Sequence, residues 1–285
     1  MLTTLAKYVM SVVPETTATS IACALATRTK PLPVQPSEQA LMAPATKIFY
    51  GADGRNVAWV WGDGPPVVFV HGWGGRAAQM APLAVHVATL GFRSIALDVT
   101  GHGDSPPRHT RWEYFLRDIA ALSQSIGADI HAYVGHSAGG LTTMAARGLK
   151  GIRARRYVCI CAPSHPFPPV RAVQANLNPK PGVMERYKAY IAAQFETTWD
   201  RLETGRSYDG AGPDLLLFYD EKDRYINHTE GDRILARCPG ARLIKTRNYG
   251  HGRILAAPEV AQTVGDFLAA GRDNAEPAQR SGGLS

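Results

Sequence analysis

Residues 130–140 read IHAYVGHSAGG. Ile130 to Val134 suit a buried strand, and they run directly into Ser137, which is fenced by Gly135 and Gly139. A G-x-S-x-G stretch between a strand and a helix is a sharp turn. The residues two places either side of the serine must be small there, because the chain passes close to itself. Such a turn raises the hydroxyl above a sheet and sets it at the N-terminus of the next helix, where developing negative charge is favoured. The pentapeptide alone is weak, since Gly and Ser cluster in many turns. The helix-forming LTTMAARGL that follows supplies the strand–turn–helix context, and that context makes Ser137 a candidate nucleophile.

Working outward, the chain alternates. KIFY and NVAWVW, joined by G-A-D-G, read as a hairpin. PPVVFV is a short apolar run suited to a strand buried on both faces. RAAQMAPLAVHVATLG reads as a helix ending on Gly91, FRSIALD as a strand and RWEYFLRDIAALSQSIG as a helix. IHAYV, RRYVCICA, DLLLFYD and ARLIKT continue the strands, with TEGDRILARC and PEVAQTVGDFLAAG as later helices. Strand alternating with helix predicts an α/β fold: a mostly parallel, doubly wound sheet with an antiparallel N-terminal hairpin. The stretch 164–213 breaks the rhythm, with proline-rich HPFPPV and then the helix-periodic VMERYKAYIAAQFETTWDRLE. A structureless loop of that length is uncommon in a compact domain, so a small helical cap is expected there. Four parts are expected: a helical lead-in and linker over 1–45, a core over 46–163 and 214–272, the cap over 164–213 and a flexible tail over 273–285.

Composition fits a globular chain, with 45% hydrophobic and 19% charged residues among 285. The net charge of +7 is scattered, and its densest run, Arg147 to Arg156, follows a helix-like stretch, so a solvated surface is expected and no nucleic-acid partner. Residues 1–26 hold two short apolar patches broken by Pro14 and a polar run, short of the ~20 apolar residues of a membrane span, so no membrane partner is expected. KPLPVQP (30–36) reads as an extended linker. Cys159 and Cys161, two apart on a strand, are expected to share one buried face, and no Cys/His spacing suggests a metal. The cysteine usage fits a reducing compartment, and a cytoplasmic location is expected.

A serine hydroxyl needs a base and a cradle for the oxyanion. His251 lies in NYGHGRIL, flanked by Gly250 and Gly252 between a late strand and the last helix. Asp220 and Asp223, in DLLLFYDEKDRYI, both sit where an earlier strand ends, and either satisfies the order Ser, Asp, His. In VVFVHGWGG (67–75) a glycine-rich turn follows a strand. Its Trp73 N–H, paired with the N–H of Ala138, is the candidate oxyanion hole. His71 and His102 are expected to hydrogen-bond within their loops, and the Gly-His-Gly of LDVTGHGDS to form a structural turn. His136 is too close to the nucleophile in sequence to face its hydroxyl.

HGWGG, D-x-x-GHGDS, GHSAGG, D-E-K-D and GHGRIL, in this order over roughly residues 46–272, resemble the α/β-hydrolase superfamily. The overall pattern is similar to uncharacterised bacterial carboxylesterase-like serine hydrolases, and the HGWG loop resembles that of carboxylesterases acting on small methyl esters. The resemblance implies a triad of Ser137, His251 and Asp223 hydrolysing an ester or related acyl substrate through an acyl-enzyme, with no metal or organic cofactor. It places the acid in the loop after the strand, at Asp223. Asp220 stands where that family often has glycine and is expected to form a turn with unusual backbone angles. Lactone and thioester hydrolysis and cofactor-free perhydrolysis use the same triad, and a non-catalytic receptor on this fold is the remaining alternative. Within the expected cap, Tyr187, Tyr190, Ile191 and Phe195 share a helical face that either lines the pocket or packs down as core, which makes Tyr187, Tyr190 and Phe195 candidate substrate-binding residues.

Overall fold

A computed structural model describes residues 2–29, 33–107 and 109–273. The chain opens with α1 (Leu2–Val12), α2 (Glu15–Ala26) and α3 (Pro36–Met42). An antiparallel hairpin of β1 (Thr46–Tyr50) and β2 (Asn56–Trp61) follows. Strand and helix then alternate through β3 (Pro66–Val70), α4 (Ala77–Thr89), β4 (Arg93–Leu97) and α5 (Trp112–Ile126). They continue through β5 (Ala132–His136), α6 (Ala138–Leu149) and β6 (Arg156–Ile160). The helices α7 (Phe167–Leu177), α8 (Pro181–Ala193) and α9 (Trp199–Glu203) fill the interval before β7 (Leu215–Asp220). Last come α10 (Thr229–Leu235), β8 (Arg242–Thr246), α11 (Gly250–Arg253) and α12 (Pro258–Asp273).

The strands form one 8-stranded sheet in the order β1-β2-β4-β3-β5-β6-β7-β8. β2 pairs antiparallel with β1 and β4, and every pairing from β4 to β8 is parallel. β3 and β5 are buried along their whole length, as strands covered on both faces must be. One face packs against Leu116, Ile119 and Leu122 of α5 and Leu141 and Met144 of α6. The other packs against Met80, Leu83 and Val87 of α4 and Val260, Val264 and Leu268 of α12. Each such side chain contributes about 1.5–3 kcal/mol on burial. From β3 the chain steps outward to β4 and then returns to β3's other side as β5, so the carboxyl ends of β3 and β5 flank a topological switch point. Crevices of this kind take ligands in open α/β sheets.

The sequence expectations differ from the structure at several points. Within proline-rich HPFPPV, for which the sequence predicts no element of its own, α7 begins at Phe167, and Pro168 and Pro169 occupy its first turn, where a missing N–H costs nothing. The single helical period read over 183–203 is two helices, broken where Glu196 takes a left-handed φ of 55°. The linker ends in α3, which begins on Pro36. Residues 30–32 of that linker, and the tail beyond Asp273, lie outside the described residues. Cys159 and Cys161 do not share a face. Cys161 follows β6 with a φ of 49°, and this turns its side chain into the opposite half of the core from Cys159. No described helix is long and apolar enough to cross a membrane.

Candidate active site

Ser137 leaves β5 with φ 51° and ψ −119°, a conformation that costs an L-residue about 1–3 kcal/mol and persists only where its surroundings enforce it. The enforcing bonds are made by the backbone. Its N–H donates to the Ile160 carbonyl at 2.9 Å, and its own carbonyl accepts from Gly140 and Leu141 at 3.1 and 3.2 Å. The two flanking glycines are steric requirements. A Cβ at Gly139 would overlap the carbonyl oxygens of Val70 and His71 at the end of β3, and one at Gly135 would lie 2.5 Å from the Gly140 Cα. The close approach anticipated from the sequence is therefore made against β3 on one side and against α6 on the other.

The loop after β3 is held by two neutral histidines. His71 donates from Nδ1 to the Gly72 carbonyl at 2.7 Å, and its Nε2 accepts the Val99 N–H at 3.1 Å. His102 accepts the Gly74 N–H at Nε2, at 2.9 Å. Both rings are buried, and burial pushes the pKa of His102 down to about 4 and that of His71 well below its ordinary value. Each therefore keeps the lone pair that ties the loop down. The His71–Gly72 bond lies within one loop, as expected, whereas the His71–Val99 and His102–Gly74 bonds run between loops, and together they leave the Trp73 N–H free. Among the described residues, neither the Trp73 nor the Ala138 amide donates to a protein acceptor. Trp73 itself stacks on Phe115, with centroids 5.8 Å apart.

Ser137, Ala138 and Trp73 line one cavity of about 410 Å³. Its walls are Trp112, Pro163 and, from α7, Pro168, Pro169, Ala172, Val173, Asn176 and Leu177, with Leu25 and Ala26 of α2 and Tyr225 completing it. Among the described residues no charged side chain lines it. Tyr187, Tyr190 and Phe195 are absent from the lining. Tyr187 and Phe195 are each 1% exposed within the core, Phe195 packs on the Trp112 ring, and Tyr190 packs against the same core. The face shared by Tyr187, Ile191 and Phe195 closes inward on the body, and α7 takes the place expected of it.

His251 sits on the short helical turn α11 rather than in an open loop. Its Nδ1 donates to Asp223 Oδ2 at 2.7 Å, and the Asp223 side chain is fully buried. Burial alone would raise the Asp223 pKa, but the His251 bond and charge and the Ile226 and Tyr225 amides hold it below the usual carboxylate range. Asp220 is placed elsewhere. It ends β7 in ordinary strand conformation, without the unusual backbone angles expected of it. Its buried carboxylate accepts from the Lys222 and Gly250 amides at 2.9 Å, the Tyr249 amide at 3.0 Å and the Thr246 hydroxyl at 2.7 Å. Burial opposes ionisation there too, and those bonds outweigh it and lower the pKa. Asp220 thus holds the turn that presents His251.

Two groups of residues result: Ser137 with the free amides at the cavity, and Asp223 with His251. Among the described residues the Ser137 hydroxyl makes no hydrogen bond, and His251 lines an adjoining surface groove with Tyr225. His136 joins the groups. Its Nε2 donates to the His251 carbonyl at 2.8 Å. Burial, with the nearby His251 adding to it, pushes its pKa down to about 3, so the ring stays neutral. Sequence reading missed this role, since adjacency to Ser137 says nothing about contact with a residue 115 positions on. It also missed Tyr225, which lies two places after Asp223 and packs 5.2 Å from the His251 ring. Cys161, Asp223 and His251 bring ligand atoms within 4.8 Å of one another. However, burial and the Asp223 charge keep Cys161 a thiol rather than the thiolate that a metal requires, and the other two already bond each other.

A family model described as the alpha/beta hydrolase fold matches residues 65–198. A non-heme chloroperoxidase of Streptomyces lividans is 33% identical over 149 residues, covering 50% of this chain and 52% of that protein. The chain thus spans about half the length of such curated relatives. An α/β hydrolase from Novosphingobium aromaticivorans superposes with a TM-score of 0.60 at 19% identity, covering 79% of this chain and 98% of that one. A thermophilic esterase from Thermogutta terrifontis superposes with a TM-score of 0.57 at 18% identity, covering 80% and 98%. At these identities the structural likeness speaks to the fold alone.

Proposed function

We propose that this chain, whose residues 65–198 match the alpha/beta hydrolase fold family, is a serine hydrolase that cleaves uncharged carboxylic esters through an acyl-enzyme. The observation that carries this reading is the 2.7 Å bond between His251 Nδ1 and buried Asp223, which leaves Nε2 as the basic nitrogen. Ser137 attacks the ester carbonyl and His251 takes the hydroxyl proton. Asp223 fixes the tautomer and stabilises the imidazolium. The tetrahedral oxyanion is received by the Trp73 and Ala138 amides, which need not give up any protein partner. His251 then protonates the departing alkoxide, and a water activated by the same nitrogen releases the acid and regenerates Ser137. The contact between nucleophile and base is often loose in a free enzyme and tightens around substrate.

The α7–α9 insertion acts as a cap over this site. Its lining, apolar apart from Asn176, Ser137 and Tyr225, favours substrates without charge near the scissile bond. Labelling by a fluorophosphonate probe, followed by mass mapping, tests the reading: modification of Ser137 is expected, and an unlabelled protein would favour a binding role without an activated serine. The similarity to a chloroperoxidase favours a second use of the same acyl-enzyme. Hydrogen peroxide in place of water would release a peracid and free Ser137. Peracid formation dependent on both peroxide and a carboxylic acid or ester donor, lost in Ser137→Ala, would establish it.

A further inference from the structure

The N-terminal helices are built into the body. Ala18 and Ala22 of α2 are fully buried where α2 packs on α8. Glu15 pairs with Arg186 of α8 at 3.8 Å. Beyond the helix end, the Thr27 carbonyl accepts the Thr110 N–H at 2.8 Å, and the Thr29 hydroxyl donates to the Gly101 carbonyl at 2.5 Å. These bonds tie α2 to the α5 and β4 side of the core as well as to the insertion. They fix its last turn at the cavity, where Leu25 and Ala26 share the lining with Ser137 and with Val173 and Leu177 of α7. Leu25 is nonetheless 47% exposed. A large apolar side chain that is half in water and half on the wall of an apolar cavity is a rim residue, and it is completed by an apolar ligand.

We infer that α2 is a second half of the cap and that Leu25 sets the length of apolar acyl chain the site accepts. The preferred substrates are then esters of uncharged, medium-length acids, whose chain runs from Ser137 between α7 and Leu25. This rests on the serine-hydrolase reading and adds to it the element that selects among esters. A cavity of about 410 Å³ stands at the small end of ligand sites, which span about 300–1,000 Å³, so one bulky side chain at the rim takes up a meaningful share of it.

The test uses the full chain and p-nitrophenyl acetate, butyrate and octanoate. Leu25→Trp should cut kcat/KM on octanoate by about tenfold or more, chiefly through KM, since each methylene excluded from an apolar pocket is worth about that much. Acetate turnover and the rate of fluorophosphonate labelling should fall by much less than octanoate turnover. Leu25→Ala should move the preference towards the longer ester. Leu5→Ala, on an exposed position of α1 away from the cavity, should leave the profile unchanged. An unchanged chain-length profile in both Leu25 variants, or equal losses on acetate and octanoate, would overturn the assignment while leaving the serine mechanism standing. Failure of the parent protein to hydrolyse acetate or take the probe would bring down the mechanism, and this inference with it.

Discussion

His136 Nε2 lies 2.8 Å from the carbonyl oxygen of His251, and the two rings are 4.7 Å apart. The residue before the proposed nucleophile therefore grips the backbone of the proposed base. His136→Ala removes that bond, worth about 1 kcal/mol, and should lower kcat by about five- to tenfold with little change in KM. His136→Gln, which can still donate, should recover part of the loss. Steady-state kinetics on the pair check this, and equal activity in all three proteins would remove the positioning role.

Asp223 and Asp220 should separate into catalysis and architecture. Asp223→Asn keeps the shape but leaves the wrong His251 tautomer and an unsupported cation, costing up to ~10⁴ in kcat. Asp220→Asn loses charge-assisted bonds in a buried network with four donors, and should destabilise the fold by about 2–3 kcal/mol. Side-by-side melts and kinetics decide it, and a larger catalytic loss for Asp220→Asn at full stability would reverse the roles.

Two glycines of α6 should respond in opposite directions. Gly139→Ala drives a methyl group into the Val70 and His71 carbonyls, with a loss above about 3 kcal/mol expected. Gly148 has nothing within 4 Å of where its Cβ would be, so Gly148→Ala should stabilise by about 0.5–1 kcal/mol through helix propensity. Urea titrations of the two variants read the contrast.

Acid should destabilise the fold before any carboxylate pair is lost. His71, His102, His136 and His165 are kept neutral chiefly by burial, with His102 and His165 near 4 and His136 near 3. The unfolded chain titrates them near ~6.5, so below that pH it binds protons that the folded chain refuses. Stability then falls towards pH ~4, by up to about 1.4 kcal/mol per pH unit for each group. Asp98, raised to about 6 by burial, and Asp118, also raised by burial, act in the opposite sense, since the folded chain keeps a proton there that the unfolded one releases. The histidines outnumber them, so Tm should drop between pH ~6.5 and ~5. A Tm that holds or rises over that interval contradicts the assignment.

The sheet was legible because Val67–Val70 and Leu215–Tyr219 are unbroken apolar runs between turn signals, and the elbow because Gly135 and Gly139 are demanded by local geometry. The Asp223–His251 pairing was legible only through the order of motifs in a resembled family. What stayed hidden depended on distant contacts or on single backbone angles. Nothing local in Leu25 or Ala26 points to a cavity formed with α7. Cys161 broke the two-residue alternation through its φ of 49°, an angle no residue pattern announces. Pro168 and Pro169 did not announce the start of α7, because proline opens a helix as readily as it interrupts one.

Replacing Ser137 by alanine tests the account most directly. The hydroxyl makes no hydrogen bond among the described residues, so the variant should fold and melt like the parent. Hydrolysis of p-nitrophenyl butyrate should fall by several orders of magnitude, on the order of the ~10⁶ lost when a triad nucleophile is removed. A folded Ser137→Ala protein that keeps more than about a tenth of the parent's turnover would contradict the mechanism.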